Sequence, residues 1–308
     1  MRLLRSSASF PPALRGAVAA IGNFDGVHLG HRALIRAAGA QAGRTRKPLA
    51  VMTFEPHPRR FFLPSAPPFR LDALETKARV LEALGVNATL ALPFTAELAG
   101  QSPQDFVDHI LARDLGLSHV VVGYDFTFGK ARAGDTAMLR QLCAAHNIGV
   151  TVVEAQGDAE VYSSTRVRRL LEAGDIANAN RILGRPWEVV GVVEHGDKRG
   201  RELGYPTANV AMTDFQVPKF GIYAVRCVID GESRDGVASL GIRPTFADQT
   251  GVKLEVYLFD FQGDLYGRDM RVAFHAFLRP ELKYEGPEPL KLQIAADVEA
   301  AKAVMAGR

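Results

Sequence analysis

Between residues 17 and 155, short and almost wholly apolar runs recur: AVAAIG (17–22), LAVMTF (49–54), ATLALPF (88–94), HVVVGY (119–124) and VTVVEA (150–155). None alternates polar with apolar residues along its length, so each reads as a strand covered on both faces. Helix starts lie between them. Asp72 and Glu75 form a D-x-x-E cap before KARVLEALG. Ser102-Pro103 opens FVDHILARDLG with proline at the first helical position. Asp135 precedes MLRQLCAAH. Buried strands alternating with capped helices fold as an open parallel α/β sheet. The carboxyl ends of its strands are where a site belongs.

After GRPW (184–187) the texture changes. EVVGVVEHG, TANVAM, GIYAVRCVI, DGVASLGI, KLEVYLFDF and MRVAFHAFL are strand-like, and Gly, Asp and Pro turns separate them. This predicts a β-barrel or compact β-domain, closed by a helix over PLKLQIAADVEAAKAVM. The expected domains are therefore 1–185 and 186–308, which suits a chain of 308 residues. No internal repeat or low-complexity segment stands out.

Composition excludes several classes. Hydrophobic residues make up 47% of the chain and charged residues 23%, an ordinary globular mix. A net charge of +3 suits anionic substrates and is too weak to argue for nucleic acid. Cys143 and Cys227 are the only cysteines, too few for a four-thiolate zinc site or a disulfide framework. MRLLRSSASFPP has arginines without an apolar core, so no signal peptide is expected. No run of about 18 apolar residues predicts a membrane span. A cytoplasmic protein, monomeric or weakly self-associating, is expected.

The richest stretch is GNFDGVHLGH (22–31), between the first long strand and the first helix. Gly22 ends the strand. Gly26 and Gly30 keep the turn bare, so phosphates can approach the backbone N–H groups at the helix start. Gly22, Asn23, Phe24, Asp25 and Gly30 would line that space. His28 and His31, three apart, share a helical face and can both donate to a phosphate gaining charge. A plain turn with a capping Asp25 and two surface histidines uses the same residues. H-x-G-H directly after strand–G-x-F-D favours the phosphate site.

This motif resembles the signature of the HxGH nucleotidylyltransferases, which have a Rossmann-like fold. In that superfamily the histidines stabilise transfer of a nucleotidyl group from an NTP as pyrophosphate leaves. S-S-T-R-V-R (163–168) resembles its second element. Ser164 and Thr165 fall at a predicted helix start. Arg168 shares a face with Thr165 and can grip phosphates through two parallel hydrogen bonds. A plain N-cap on a basic helix is the alternative. T-F-E-P-H-P (53–58) and G-Y-D-F-T-F-G-K (123–130) follow strands on the same rim. They resemble the flavin-binding loops of bacterial FAD synthetases, which implies flavin contacts at Phe54, Pro56, His57, Pro58, Asp125, Phe126 and Phe128. The G-K at 129–130 is no P-loop, because Ala131 stands where Ser or Thr would be.

In the β-domain, H-G-D-K-R-G-R-E-L-G-Y-P-T-A-N-V (195–210) combines a glycine-rich, basic flap with a short strand. Gly196, Gly200 and Gly204 make the flap mobile, and Lys198, Arg199 and Arg201 charge it. Pro206 fits a strand start. Thr207 and Asn209, two apart, point the same way and offer hard oxygens to a Mg²⁺ carrying ATP phosphates. Alone, P-T-A-N is four common residues that a structural turn also uses. In L-E-V-Y-L-F-D-F (254–261), Leu254, Val256 and Leu258 face one side while Glu255, Tyr257 and Phe259 face the other. A carboxylate between aromatics can act as general base on a hydroxyl, or be an ordinary exposed glutamate.

With G-I-R-P-T-F (241–246) and D-L-Y-G (264–267), these segments resemble riboflavin kinase in order and spacing. Nearly the whole chain thus resembles bacterial bifunctional riboflavin kinase/FAD synthetase. The resemblance implies Glu255 as base, Mg²⁺-ATP at Thr207 and Asn209, and phosphate contacts from Gly196, Lys198, Arg201, Gly204 and Pro206. It also implies flavin contacts at Arg243 and Tyr257. Its substrates and products would be ATP, riboflavin, FMN and FAD. Tyr205 stands where phenylalanine is usual, Ser239 where asparagine is common, and Tyr257 where histidine is common. The last departure puts more weight on Glu255. Two other readings stay open. One is a nucleotidylyltransferase for another phosphate ester, such as pantetheine phosphate or glycerol phosphate, with a regulatory β-domain. The other is a non-enzymatic flavin- or RNA-binding protein, although the chain lacks an aromatic ladder with dense basic clusters.

Overall fold

A computed structural model of the chain describes residues 1–195, 204–242 and 251–307. The chain forms two compact units, Met1–Ala66 with Leu74–Ser163, and Pro67–Ala73 with Ser164–Arg308.

The first unit is built on a 6-stranded sheet in the order β1-β4-β3-β2-β5-β6. Its strands are β1 (Arg2–Leu4), β2 (Val18–Ile21), β3 (Leu49–Glu55), β4 (Ala88–Pro93), β5 (His119–Gly123) and β6 (Gly149–Val153), and every pairing is parallel. The apolar runs alternate between two cores. Ala19 and Ile21 of β2 enter one cluster while Val18 and Ala20 enter the other, and Val120 and Val121 of β5 divide the same way. Each fully buried Val or Leu adds roughly 1.5–3 kcal/mol, which explains why these strands carry so little polarity. One face is covered by α1 (Leu29–Thr45), with Val80 and Leu81 of α3 (Leu74–Ala83). The other face packs Phe106, Val107, Ile110, Leu111, Leu139 and Cys143.

Shorter helices are α2 (Pro58–Phe62), α4 (Ala96–Gly100), α5 (Pro103–Asp105) and α6 (Thr136–Ala144). Ser102 and Asp105 form a capping box at the start of α5, and Asp135 caps α6 through the N–H of Met138. The chain after α5 is π-helical over Phe106–Asp114, where the apolar spacing predicts an ordinary helix. Strand β1, which no pattern announced, pairs with β4 over three residues at the edge. β2 lies between β3 and β5, so chain order reverses beside it. The GNFDGVHLGH turn leaves β2 at this switch point, where open α/β sheets bind ligands.

The second unit is a closed antiparallel barrel in the order β10-β11-β8-β7-β12-β9, with β9 pairing back onto β10. Its strands are β7 (Trp187–Glu194), β8 (Ala208–Val210), β9 (Gly221–Ile229), β10 (Glu232–Ile242), β11 (Val252–Leu258) and β12 (Asp269–Arg279). Two helices precede it, α7 (Ser164–Ala173) and α8 (Ile176–Leu183), the latter stopped by Gly184 in a left-handed conformation. Trp187 is fully buried, and its indole N–H donates to the Leu71 carbonyl at 3.0 Å. Asp72, 1% exposed, forms an ion pair with Arg185. The last helix, α9 (Pro287–Ala306), seats Val298, Ala301 and Met305 on Ile222, Ala224 and Val237 of the barrel's outer face. A two-pronged ion pair from Arg279 to Asp297, at 2.7 and 2.6 Å, fastens α9 to β12.

Candidate functional site

The turn after β2 is strained and tightly held. Phe24 (φ 48°) and Val27 (φ 43°) occupy the left-handed region without being glycine. Such conformations cost roughly 1–2 kcal/mol each. Both side chains are 0% exposed, so their burial offsets the strain and locks the turn. His28 is the N-cap of α1: its Nδ1 accepts the His31 backbone N–H at 3.4 Å. In the neutral ring the proton therefore sits on Nε2, ready to be donated. The His28 and His31 rings stack with centroids 3.7 Å apart, and the Phe24 ring lies 5.1 Å from His31. His31 Nδ1 is buried and has no hydrogen-bond partner among the described residues. Burial, then repulsion by His28 and Lys77, holds His31 well below the ordinary imidazole value.

Gly30 is also held small by its neighbours. A Cβ there would lie 3.1 Å from His28 Cε1 and 3.2 Å from the Tyr162 carbonyl oxygen. Gly30→Ala is therefore expected to displace the His28 ring.

The rim beside the turn is aromatic. Phe54 is the penultimate residue of β3, which ends at a cis Glu55–Pro56 peptide, and His57 caps α2 by accepting the Arg59 N–H at 3.1 Å. Pro56 is exposed and Pro58 half-buried. Phe54, Phe61 and Phe62 all pack edge-on against Phe94, at 5.9, 5.3 and 5.7 Å. Phe62 is 62% exposed, an unusual position for a large apolar ring. Sequence reading stopped at Pro58 and missed Phe61, Phe62 and Phe94. The signal was present in the Phe61-Phe62 doublet and in the last residue of ATLALPF. On the second loop, Asp125 Oδ1 lies over Gly123, 3.2 Å from where its Cβ would be. Phe126 stacks on Phe128, and Phe128 packs against Phe106 in the core. Phe128 therefore supports the loop from below, and Phe126 is the outer of the two.

The S-S-T-R segment opens α7 in the second unit, with Ser164 as its first residue and Thr165 exposed. Arg168 Nε donates to the Phe69 carbonyl at 2.7 Å, and the guanidinium lies 5.4 Å from the Phe69 ring. Its orientation is thus set by Phe69, a partner the spacing of the motif does not reveal.

In the barrel, strand register builds the site. Asn209 on β8 lies directly opposite Glu255 on β11 and opposite Glu194 on β7, and Glu255 faces Ser239 on β10. Side chains paired this way stand about 5 Å apart on one face. Ala208 and Val210 point inward, as do Leu254, Val256 and Leu258, all under 9% exposed. Asn209 Oδ1 is buried without a hydrogen-bond partner among the described residues. Lys253 Nζ lies 2.8 Å from Glu255 Oε1. Opposite Lys253, the Glu281 carboxylate occupies the space a side chain on Gly241 would need. Burial, and then the Glu255 charge, raise the Glu281 carboxyl above its usual value. Tyr257 meets Tyr205 edge-on at 5.2 Å. Gly204 is left-handed, φ 86°, and leads into Pro206 and the half-buried Thr207. Glu194 and Lys253 escaped sequence reading because cross-strand register is not written in local spacing. Gly196, Lys198, Arg201 and Arg243 lie outside the described residues.

Among the described residues no cluster of three or more His, Cys, Asp or Glu forms a metal cage. An orphaned amide oxygen directly opposite a carboxylate instead suits a hard cation that brings most of its ligands with it, as Mg²⁺ on phosphates does.

Comparison with known proteins gives the same two-part picture. A sequence model of FAD synthetase matches residues 10–166, and one of riboflavin kinase matches residues 183–305. The chain is similar to proteins named bifunctional riboflavin kinase/FMN adenylyltransferase. With that of Pseudomonas fluorescens it is 46% identical, over 99% of this chain and 98% of the relative. With that of Listeria monocytogenes it is 40% identical, over 94% and 92%. With that of Escherichia coli it is 38% identical, over 96% of each. A crystal structure titled a macrolide-efflux protein from Streptococcus pneumoniae superposes with a TM-score of 0.86 at 29% identity, covering 97% of this chain and 98% of that one. Among the described residues no helix is long and apolar enough to cross a membrane.

Proposed function

Because the chain belongs to the bifunctional riboflavin kinase/FMN adenylyltransferase family, and makes FMN from riboflavin and FAD from FMN with ATP, we propose how its residues divide that work. Adenylyl transfer falls to residues 1–185 and riboflavin phosphorylation to 186–308, a division that the matches at 10–166 and 183–305 support. The β-domain is then a kinase and not a regulatory module.

The two reactions need different help. In the kinase step a neutral ribityl hydroxyl attacks the γ-phosphorus, and its proton must go to a base. Glu255 is that base, and Lys253 holds its carboxylate in place. Thr207 and Asn209 hold Mg²⁺, which when bound would neutralise ATP phosphate charge. Gly196, Lys198, Arg201, Gly204 and Pro206 form the phosphate flap, and Arg243 and Tyr257 contact the flavin. In the adenylyl step the attacking FMN phosphate is already largely dianionic, since its second pKa is about 6. No base is needed, only alignment and charge stabilisation. His28 Nε2–H and the His31 imidazole donate to the phosphates from the start of α1. Gly22, Asn23, Phe24, Asp25 and Gly30 shape the turn. Ser164, Thr165 and Arg168 add phosphate contacts. Phe54, Pro56, His57, Pro58, Asp125, Phe126 and Phe128 belong to the flavin loops, joined by Phe61, Phe62 and Phe94.

The reading extends to a cytoplasmic enzyme, monomeric or weakly self-associating, with no nucleic-acid partner. The mild net charge and two buried, unbridged cysteines support it. The observation that carries the kinase assignment is Asn209, its amide oxygen orphaned, directly opposite Glu255. In Asn209→Ala the Mg²⁺ concentration needed for half-maximal FMN formation should rise roughly 10–100-fold. Unchanged Mg²⁺ dependence would remove Asn209 as a ligand. Chelation with EDTA should stop both products in the wild-type enzyme.

A further inference from the structure

Lys77 is out of place in its helix. In LETKARVLEA it stands three residues after Leu74 and four before Leu81, on the stripe that α3 turns inward. It is 4% exposed, and nothing about helix packing calls for an ammonium there. Burying one costs several kcal/mol unless its hydrogens are well used. Lys77 Nζ donates to the Asn23 carbonyl at 2.8 Å and to Thr53 Oγ1 at 3.3 Å. Thr53, 0% exposed on β3, donates to the same Asn23 carbonyl at 2.9 Å. Helix α3, strand β3 and the turn after β2 therefore converge on one peptide group. That peptide immediately precedes Phe24, the left-handed residue whose ring supports His31.

We propose that Lys77 is a positioning residue for adenylyl transfer: its buried ammonium, with the Thr53 hydroxyl, clamps the Asn23–Phe24 peptide and so fixes the turn that presents His28 and His31. The inference rests on assigning that turn to FAD formation. Lys77 has a second effect. Among the described residues, the charged groups that act on His31 are His28, stacked on it, and Lys77 from α3, and Asp25 is buried in the same turn. Lys77 repels a proton on His31, which keeps the imidazole neutral toward lower pH.

The test compares Lys77→Met, which keeps the length and loses the charge, with Lys77→Arg, which keeps the charge. FAD formation from supplied FMN and FMN formation from riboflavin are followed in the same preparations. Lys77→Met should lower kcat for FAD formation by roughly 10²-fold with little change in the KM for FMN, and leave FMN formation intact. The His31 imidazole, followed by NMR of histidine-labelled protein, should take up its proton at higher pH in Lys77→Met, because one repulsion on protonated His31 is gone. Lys77→Arg should restore the wild-type titration and much of kcat. A purely structural lysine would lower stability without changing kcat in the folded variant. Wild-type kcat for FAD formation in Lys77→Met would overturn the proposal. If Lys77→Met fails to fold, Lys77→Arg decides: a displaced His31 titration in that charged variant equally overturns it. The double variant His28→Ala with His31→Ala separates the two levels. FAD formation that survives it sinks the site assignment, whereas its loss beside a normal Lys77→Met sinks only the clamp.

Discussion

Replacing both His28 and His31 by alanine is expected to lower FAD formation by 10³-fold or more while riboflavin is still converted to FMN. A single well-aimed donor to a developing oxyanion is worth roughly 10²–10³ in rate, and this change removes two. Both rings lie at the amino end of α1, where backbone N–H groups and the helix dipole already favour negative charge. The His28 ring also caps the helix, so its loss costs about 1 kcal/mol in addition. The barrel has its own core and closing helix, which keeps the kinase as an internal check on folding. The assay is riboflavin, ATP and Mg²⁺ with chromatography over time. FMN should accumulate without FAD. Full FAD output from the double variant would take adenylyl transfer away from this turn.

Glu255→Gln should give the opposite product pattern. FMN formation should fall by roughly 10²–10⁴-fold, the usual worth of a positioned base, while supplied FMN still becomes FAD. Glutamine keeps the shape and the cross-strand fit opposite Asn209 and Ser239 but cannot take the ribityl proton. Lys253, 2.8 Å away, would lose its ion pair with this carboxylate. Circular dichroism and thermal melting must therefore accompany the kinetics. Riboflavin phosphorylation at the wild-type rate would show that another group accepts the proton.

Much of this was legible in the residues alone, for identifiable reasons. The strands from β2 to β5 announce themselves because burial on both faces leaves few polar residues along them, whereas β6, just as apolar in sequence, turns out to be a half-exposed edge strand. The H-x-G-H turn is legible because two histidines three apart bracket a glycine just where a strand gives way to a helix. The inward alternation of Leu254, Val256 and Leu258 is a local period and survives intact. What stayed hidden depends on partners distant in sequence. β1 is too short to have a period and exists because β4 offers it an edge. The π-helical path of Phe106–Asp114 keeps the same apolar residues that an α-helix would bury. Glu194 comes beside Asn209 only through the register in which β7 pairs with β8. Lys77 stands on the apolar stripe of α3, but only the docked helix brings its ammonium against Asn23 and Thr53. Phe128, grouped with Phe126 by sequence, differs from it because the turn sends one ring into the core.

The two halves also differ in how they end. Every strand of the barrel is flanked on both sides, so it offers no bare row of N–H and C=O groups to another chain. The parallel sheet stops at β1 and β6. β1 is three residues long and blunts its side, whereas β6 runs Gly149–Val153, half-exposed along its whole length. Unwanted growth by strand addition, the first step of many aggregates, therefore has its natural template at β6. A charge introduced along β6 is the most economical guard for storing the enzyme at high concentration.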